Sequence, residues 1–583
     1  MKRYMRTPQI VDKARDWTRR LPDREDRISI LLSFVIGALV GLVVVAFILL
    51  TGRLAARMYP PGSAAWRRIL VPTAGSLVSG YLLYRYFPDA RGSGIPQTKF
   101  AIFIHNGYIS LKTVIGKFLC CSISLASGIA LGREGPSVQI GAGIASVLGR
   151  RFGLSTATVR DLVPMGSAAA LAAAFNTPIA AVLFSLEEVL GDLHAPVLGA
   201  VVVSSATSWM FLHLILGDEP LFHVPSYHLV NPMEFAIYAI LGLIGGLGSV
   251  FFVKLLLSIR AWFRRLPKWT GWFQPAIGGL AVGLMGWFMP EVLGVGYDYV
   301  EKILGGDLAL KAVVLLAVLK IIATATCYGS GNAGGIFGPS LFIGATIGGA
   351  VGSIAHSLFP AQTAGPGAYA LIGMGTAFAG IVRTPLTSVI MIFEMTRDYS
   401  IIVPLMVSNL ISFLVSYGLQ RQPIYEALAH QEGVNLPAGE SRDQLARLQA
   451  GGFMQPEDRA FPPDLDLATA VKRLKEARVN AWPVVQDHLL LGMAHRKHMG
   501  GPDGDANRVA KNIVSRPADG SAMKYPFIYP DQSLSMALEQ MGAAGVDSLP
   551  VVSRANHRQL LGVLTLPDIL SAYGLMAYPE RES

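Results

Sequence analysis

The chain has 583 residues, of which 52% are hydrophobic and 15% charged, with a formal net charge of +10 and a mean hydropathy of +0.45. Soluble globular domains carry about 25% charge, so the composition argues against a wholly soluble protein and rules out a secreted disulfide scaffold, a disordered regulator and a coiled coil. Many basic residues precede the first apolar run, in MKRYMRTPQIVDKARDWTRRLPDREDR, which reads as positive-inside rather than as a nucleic-acid-binding stripe and predicts a cytoplasmic N-terminus.

The first span runs from Ile28 to Leu50. The long charged segment before it separates it from a cleaved secretory signal. Further apolar segments follow at 69–86, 100–131, 136–149, 162–190, 196–216, 233–257, 272–295, 308–328, 336–356, 368–382, 385–395 and 401–419. Several are shorter than the about 20 helical residues a hydrocarbon core requires. Short apolar helices broken by Gly and Pro are tolerated at membrane depth only where the broken backbone is buried in protein or lines a cavity, which points to a transporter-like site. Cys120, Cys121 and Cys327 lie in apolar segments with no metal-ligand spacing and are expected to be buried packing residues.

An internal repeat divides the apolar region. GREGPSVQIGA (Gly132 to Ala142) aligns without a gap on GIFGPSLFIGA (Gly335 to Ala345), and downstream the stretch from Met165 resembles that from Met374, so that Thr177-Pro178 meets Thr384-Pro385 and Glu187 meets Glu394. Two membrane halves are expected, about 28–216 and 233–420; their relative orientation does not follow from similarity alone. From Gln431 the composition becomes that of a soluble domain with a shorter repeat, in which Leu467, Leu474, Val479 and Pro483 meet Leu534, Met541, Val546 and Pro550. Each copy reads as an amphipathic helix, a polar step, a PVV strand and an LLG strand, giving two βαβ-like modules.

Three Gly/Pro breaks carry the chemistry: GSGIP (Gly92 to Pro96), GREGP (Gly132 to Pro136) and GIFGP (Gly335 to Pro339). Glycine admits close backbone approach, and proline suits a first helical turn. Such a helix start presents unpaired N–H groups and the positive end of the dipole to an anion. Glu134 places a carboxylate in the second break, where it can compete with an anion when ionised and withdraw when protonated; intramembrane carboxylates are costly and mostly functional. Glu187 has a repeat partner in Glu394, which argues for a shared structural role. Glu188 faces Met395, breaks the symmetry and is read as a proton acceptor, against a carboxylate merely solvated at a helix end. GSGNAG (Gly329 to Gly334) matches a dinucleotide fingerprint but lies between membrane segments and is set aside; no Walker A or HExxH motif and no histidine ligand cluster occurs.

On these residues the chain resembles the CLC family of chloride channels and proton-coupled chloride transporters, from the first span to about Leu428 and with all three breaks in order. The C-terminal tandem resembles a pair of CBS domains. The resemblance implies an all-α polytopic membrane protein of two inverted halves with a cytoplasmic α/β CBS pair, assembled as a homodimer with one pore per subunit. It implies that Ser93 supplies a hydroxyl to a central chloride, that the N–H groups of Ile336 and Phe337 point at it, and that the Tyr425 hydroxyl completes the site. Glu134 fits the gating glutamate and Glu188 the internal proton glutamate of exchangers, where channels commonly have an apolar residue. Ser93 favours chloride over nitrate, since the nitrate-selective branch has proline there. Gln97 stands where some exchangers have glutamate.

The expected organisation is a cytoplasmic segment 1–27, a transport domain 28–428, a linker 429–450 and tandem CBS modules at about 451–511 and 512–575. In the second module Thr565 and Asp568 fit a nucleotide-binding pattern, a hydroxyl followed three residues later by an aspartate; the first, reading GMAHRKHM, lacks it. No cofactor is required for transport, and adenine nucleotide is the candidate ligand of the CBS pair. The expected function is exchange of chloride for protons in the plasma or inner membrane with both termini cytoplasmic, with no enzymatic or nucleic-acid role. The rivals are a passive chloride channel of the same fold and a membrane-embedded nucleotide-sensing or nucleotide-processing protein.

Overall fold

The computed structural model describes residues 24–193, 196–218, 221–222, 230–434, 448–477, 479–487, 489–496 and 525–572. The chain divides into two compact units, Met1–Leu436 and Pro437–Ser583. The expected cytoplasmic segment and linker fall largely outside the described residues.

The first unit is helical. Its first series comprises α1 (Arg24–Met58), α2 (Arg67–Arg85), α3 (Ile95–Phe103), α4 (Leu111–Ala126), α5 (Glu134–Arg151), α6 (Thr156–Phe175), α7 (Pro178–Phe184) and α8 (Leu198–Leu216), with a π-helical turn, Ser185–Leu190, continuing α7. The second comprises α9 (Glu234–Arg265), α10 (Gln274–Phe288), α11 (Tyr297–Gly305), α12 (Leu310–Gly329), α13 (Phe337–Leu358), α14 (Pro366–Val382), α15 (Pro385–Thr396) and α16 (Ile402–Leu419), followed by α17 (Ile424–Gln431). The two series correspond helix for helix. Among the described residues six helical stretches are long and apolar enough to cross a membrane, and large apolar side chains such as Leu214, Phe251 and Leu410 are exposed on them. This is an integral membrane protein.

One expected segment, 100–131, is two helices rather than one. Asn106 and Gly107 adopt positive φ, which stops α3, and Ser110 Oγ accepts from Thr113 N–H at 3.0 Å to start α4.

Repeat-equivalent residues meet at the centre. Gly132 N–H donates to Gly335 O, and Gly335 N–H to Gly132 O, both at 2.7 Å, in an antiparallel bridge. Equivalent residues that exchange both bonds lie on a local twofold axis, the relation an inverted repeat requires. The same symmetry fixes Glu187 and Glu394. Glu187 accepts from Thr387 N–H at 2.8 Å at the start of α15, and Glu394 from Ala180 N–H at 2.7 Å at the start of α7. Each carboxylate caps the helix of the opposite half, the shared structural role expected of the pair. Close helix crossings use glycine: a Cβ on Gly166 would lie 2.2 Å from Gly141 O, and one on Gly373 would lie 2.3 Å from Gly344 O. The three cysteines are buried and free.

In the second unit, α18 (Leu467–Glu476), β2 (Ala481–Gln486) and β3 (Leu489–His495) form one copy of the shorter repeat. The other copy is α19 (Leu534–Ala544), β4 (Ser548–Val552) and β5 (Leu560–Thr565), followed by α20 (Leu566–Ala572). β2 pairs antiparallel with β3 and β4 with β5, while the short β1 (Gln455–Pro456) joins β5. The βαβ order comes from Phe461 and Ile528, each bridged in parallel to its PVV strand at Val484 and Val551. The polar steps of the two copies meet, Asn480 N–H donating to Asp547 at 2.9 Å.

Candidate functional site

The three sequence breaks pack against one another. Gly92 and Gly94 flank Ser93 with φ of +92° and +106°, a conformation that favours glycine. A Cβ on Gly94 would lie 2.2 Å from Gly135 O, so the start of α3 rests on the start of α5, which the Gly132–Gly335 bridge ties to the start of α13. Gln97 acts within its own helix start, where its Oε1 accepts from Gly94 N–H at 2.9 Å and so caps α3.

Ser93 Oγ and Tyr425 Oη are both buried and make no hydrogen bond within the protein. A buried hydroxyl left unpaired costs about 1–3 kcal/mol. Two such donors fit an anion, which accepts from both. The Tyr328 hydroxyl, which the sequence reading missed, stands beside Ser93 and close to Tyr425. Ile336 and Phe337 lie at the start of α13, whose first N–H groups have no intrahelical acceptor. The Phe337 ring is anchored against Phe175, Phe184 and Phe378 at centroid separations of 4.7, 5.4 and 4.4 Å, so this helix start is held in place by packing.

Glu134, the first residue of α5, is fully buried. Its Oε2 accepts from Gly338 N–H at 3.3 Å, and its Oε1 accepts from the Tyr297 hydroxyl. The carboxylate therefore faces the first turn of α13, where the helix dipole favours negative charge. Arg133 Nε lies 4.0 Å from Oε1.

Glu188 sits on the π-helical turn, an irregularity frequent at functional sites. It is 5% exposed, so it is not a carboxylate solvated at a helix end. Lys99 Nζ on α3 lies 2.8 Å from its Oε1, with both side chains buried. The sequence signal for Lys99 was available, since a lysine within TKFAIFI is an intramembrane charge that needs a partner. Removing one member of a buried ion pair costs about 3–5 kcal/mol. Lys99→Met should therefore lower the melting temperature in detergent and slow proton transport, whereas Lys99→Arg should restore both; wild-type proton transport in Lys99→Met would separate the pair from proton transfer.

A cavity of about 720 Å3 reaches the first break, with Gly92, Gln97 and Tyr328 in its wall and Arg91, Arg260 and Arg264 around it. Its basic lining favours the approach of anions. In the second unit, Asp568 accepts from Thr565 N–H at 3.0 Å and from Gln455 Nε2 at 3.2 Å. The pair thus exists, and its carboxylate is engaged within the protein rather than solvated. The end of the first module's GMAHRKHM lies outside the described residues.

The family model for voltage gated chloride channels matches residues 75–417 and that for the CBS domain matches residues 514–574. The ClcB-like protein of Ralstonia nicotianae, named for a chloride channel, is 34% identical over 385 residues, covering 64% of this chain and 89% of its own. The H(+)/Cl(-) exchange transporter ClcA of Salmonella paratyphi B is 32% identical over 463 residues, covering 74% of this chain and 98% of its own. The crystal structure of a slow cyanobacterial Cl-/H+ antiporter superposes with a TM-score of 0.65 at 27% identity, over 69% of this chain and 97% of that one.

Proposed function

The chain belongs to the voltage gated chloride channel (CLC) family and carries a CBS domain, and from that premise we propose that it exchanges chloride for protons across a membrane, as the names of its relatives say of them. The observation that carries the reading is the pair Ser93 and Tyr425, two buried hydroxyls without acceptors beside helix starts polarised to receive an anion. Chloride in the central place accepts from Ser93 Oγ, Tyr425 Oη and the N–H groups of Ile336 and Phe337. Neutral dipoles bind it without trapping it, as transport requires. Ionised Glu134 occupies the adjoining place and blocks the path; protonated, it withdraws and carries its proton with it. Glu188 exchanges protons with the opposite side without touching the anion.

The passive channel is the second reading. A carboxylate at position 188, kept in a buried site by Lys99, supports exchange against it. In liposomes holding the purified protein, a chloride gradient should drive protons uphill. Chloride flux without proton movement would leave the channel.

Tyr425→Ala should weaken chloride binding about tenfold by calorimetry, the order expected for one hydrogen bond to a charged group, and should loosen coupling. Ser93→Pro should shift preference toward nitrate. Unchanged affinity and selectivity in both variants would remove these hydroxyls from the anion's path.

The same reading takes the functional unit as a homodimer with one pathway per subunit, in the plasma or inner membrane and with both termini cytoplasmic. Transport itself needs no cofactor. Adenine nucleotide is the ligand class proposed for the CBS module, with Thr565 and Asp568 toward its ribose; Asp568 would exchange its Gln455 contact for the ribose hydroxyls.

A further inference from the structure

The second half of the membrane unit rebuilds the first break at a place where the sequence repeat is faint. In the first half Lys117 Nζ donates to Ala90 O at 3.0 Å and to Gly92 O at 2.6 Å, clasping the turn that leads into α3. In the second, Lys320 Nζ donates to Val292 O at 3.1 Å and to Gly294 O at 2.7 Å, clasping the turn that leads into α11. Gly294 and Gly296 have positive φ, as Gly92 and Gly94 do, and α3 and α11 are each nine residues long. Gly294-Val295-Gly296-Tyr297 is therefore the structural counterpart of Gly92-Ser93-Gly94-Ile95. Val295 has no hydroxyl where Ser93 has one. Tyr297, two residues on, brings a hydroxyl to this second turn, and it donates to Glu134 Oε1.

We propose that Tyr297 is the positioning residue that latches the Glu134 carboxylate across the anion path, so that the two equivalent turns each contribute one hydroxyl, Ser93 toward the central anion and Tyr297 toward the gate. The ring is held in place by its neighbours, since Phe222 packs edge-on at 5.5 Å and the Arg133 guanidinium stands 5.6 Å from the ring centroid. Gly338, which donates to the other carboxylate oxygen, has no room for a side chain, since a Cβ there would lie 2.9 Å from Val295 Cγ1 and 3.0 Å from Tyr297 Oη. Ionised Glu134 is thus gripped from two sides, by a phenol of α11 and a backbone N–H of α13. The other titratable or charged groups facing this cluster are Arg133 beside the carboxylate, Tyr425 of α17 within its electrostatic reach, and Lys320 of α12 behind Gly296. Lys320 is committed to backbone carbonyls. A hydrogen bond from a neutral donor to a charged acceptor is stronger than one to a neutral acceptor, so the latch favours the ionised, blocking position and weakens when Glu134 takes up a proton.

The inference rests on the assignment of Glu134 as the gate, and the test separates the two. Chloride efflux and proton uptake are measured together from liposomes holding wild type, Tyr297→Phe, Glu134→Ala and the double variant, at neutral and acidic pH. Tyr297→Phe keeps the ring and its packing. It should raise chloride efflux at neutral pH by about tenfold, the order expected for losing one hydrogen bond to a charged group, lower the proton-to-chloride ratio, and converge on wild type at acidic pH. In the Glu134→Ala background the same substitution should change nothing. A wild-type pH profile in Tyr297→Phe overturns the latch, and so does an equal increase in both backgrounds, which would make Tyr297 a wall of the pore. If Glu134→Ala itself keeps coupled, pH-sensitive transport, it is the gate assignment that fails.

Discussion

Glu134→Gln should abolish proton transport and leave a chloride flux that no longer responds strongly to pH. Glutamine imitates the protonated side chain, cannot titrate, and loses the charge that Gly338 N–H and the Tyr297 hydroxyl both address. Glu188→Gln should also abolish proton transport, yet its residual chloride flux should remain pH-sensitive, because Glu134 can still ionise and block. The glutamine carbonyl still offers Lys99 an acceptor, so the protein should fold although its buried cation has lost its counter-charge. Paired chloride and proton measurements in proteoliposomes at two pH values decide the matter. Coupled proton movement persisting in either variant would remove that residue from the proton path, and identical pH-independent chloride flux in both would dissolve their division of labour.

The second large effect concerns assembly rather than transport. Gly166→Leu should prevent the membrane unit from folding. The added Cβ alone would lie 2.2 Å from Gly141 O and 2.9 Å from Ala145 Cβ, so α5 and α6 must part. That crossing positions Glu134 at the head of α5. Overpacking by a methylene or two in a core costs about 1–3 kcal/mol, and a collision with a neighbouring backbone costs more, since a carbonyl cannot rotate away as a side chain can. Gly199→Ala, where nothing lies within 4 Å of the added carbon, is the control and should behave as wild type. Size-exclusion profiles of the detergent-solubilised protein read the result; a monodisperse, transport-competent Gly166→Leu would show that the helices tolerate separation.

Much of the pathway was legible in one dimension because its chemistry is local. A Gly/Pro break advertises an exposed helix start within five residues, and a carboxylate inside an apolar run is expensive wherever the chain later goes, which is why GREGP and Glu134 stand out unaided. The repeat was legible for the same reason: Gly132 and Gly335 lie in motifs that align without a gap, and they meet on the twofold axis. The division of Glu187 from Glu188 also followed from the repeat, one residue having a counterpart and the other none, and the structure gives the first a helix to cap and the second a buried lysine.

What only the tertiary structure decided is which side chains meet across the chain. Lys99 reaches Glu188 over 89 residues and Tyr297 reaches Glu134 over 163, and no local pattern encodes such a pairing, because it depends on how whole helices are docked. The offset that pairs Thr177 with Thr384 also sets Gly166 on Gly373, and only the fold shows what each meets, Gly141 in one half and Gly344 in the other. By itself the sequence determined the membrane class, the two halves, the broken helix starts and the carboxylates that need a reason to be buried. The fold supplied the reasons, setting a lysine, a phenol and a backbone N–H against those carboxylates, because a buried charge is tolerated only where distant elements converge to satisfy it.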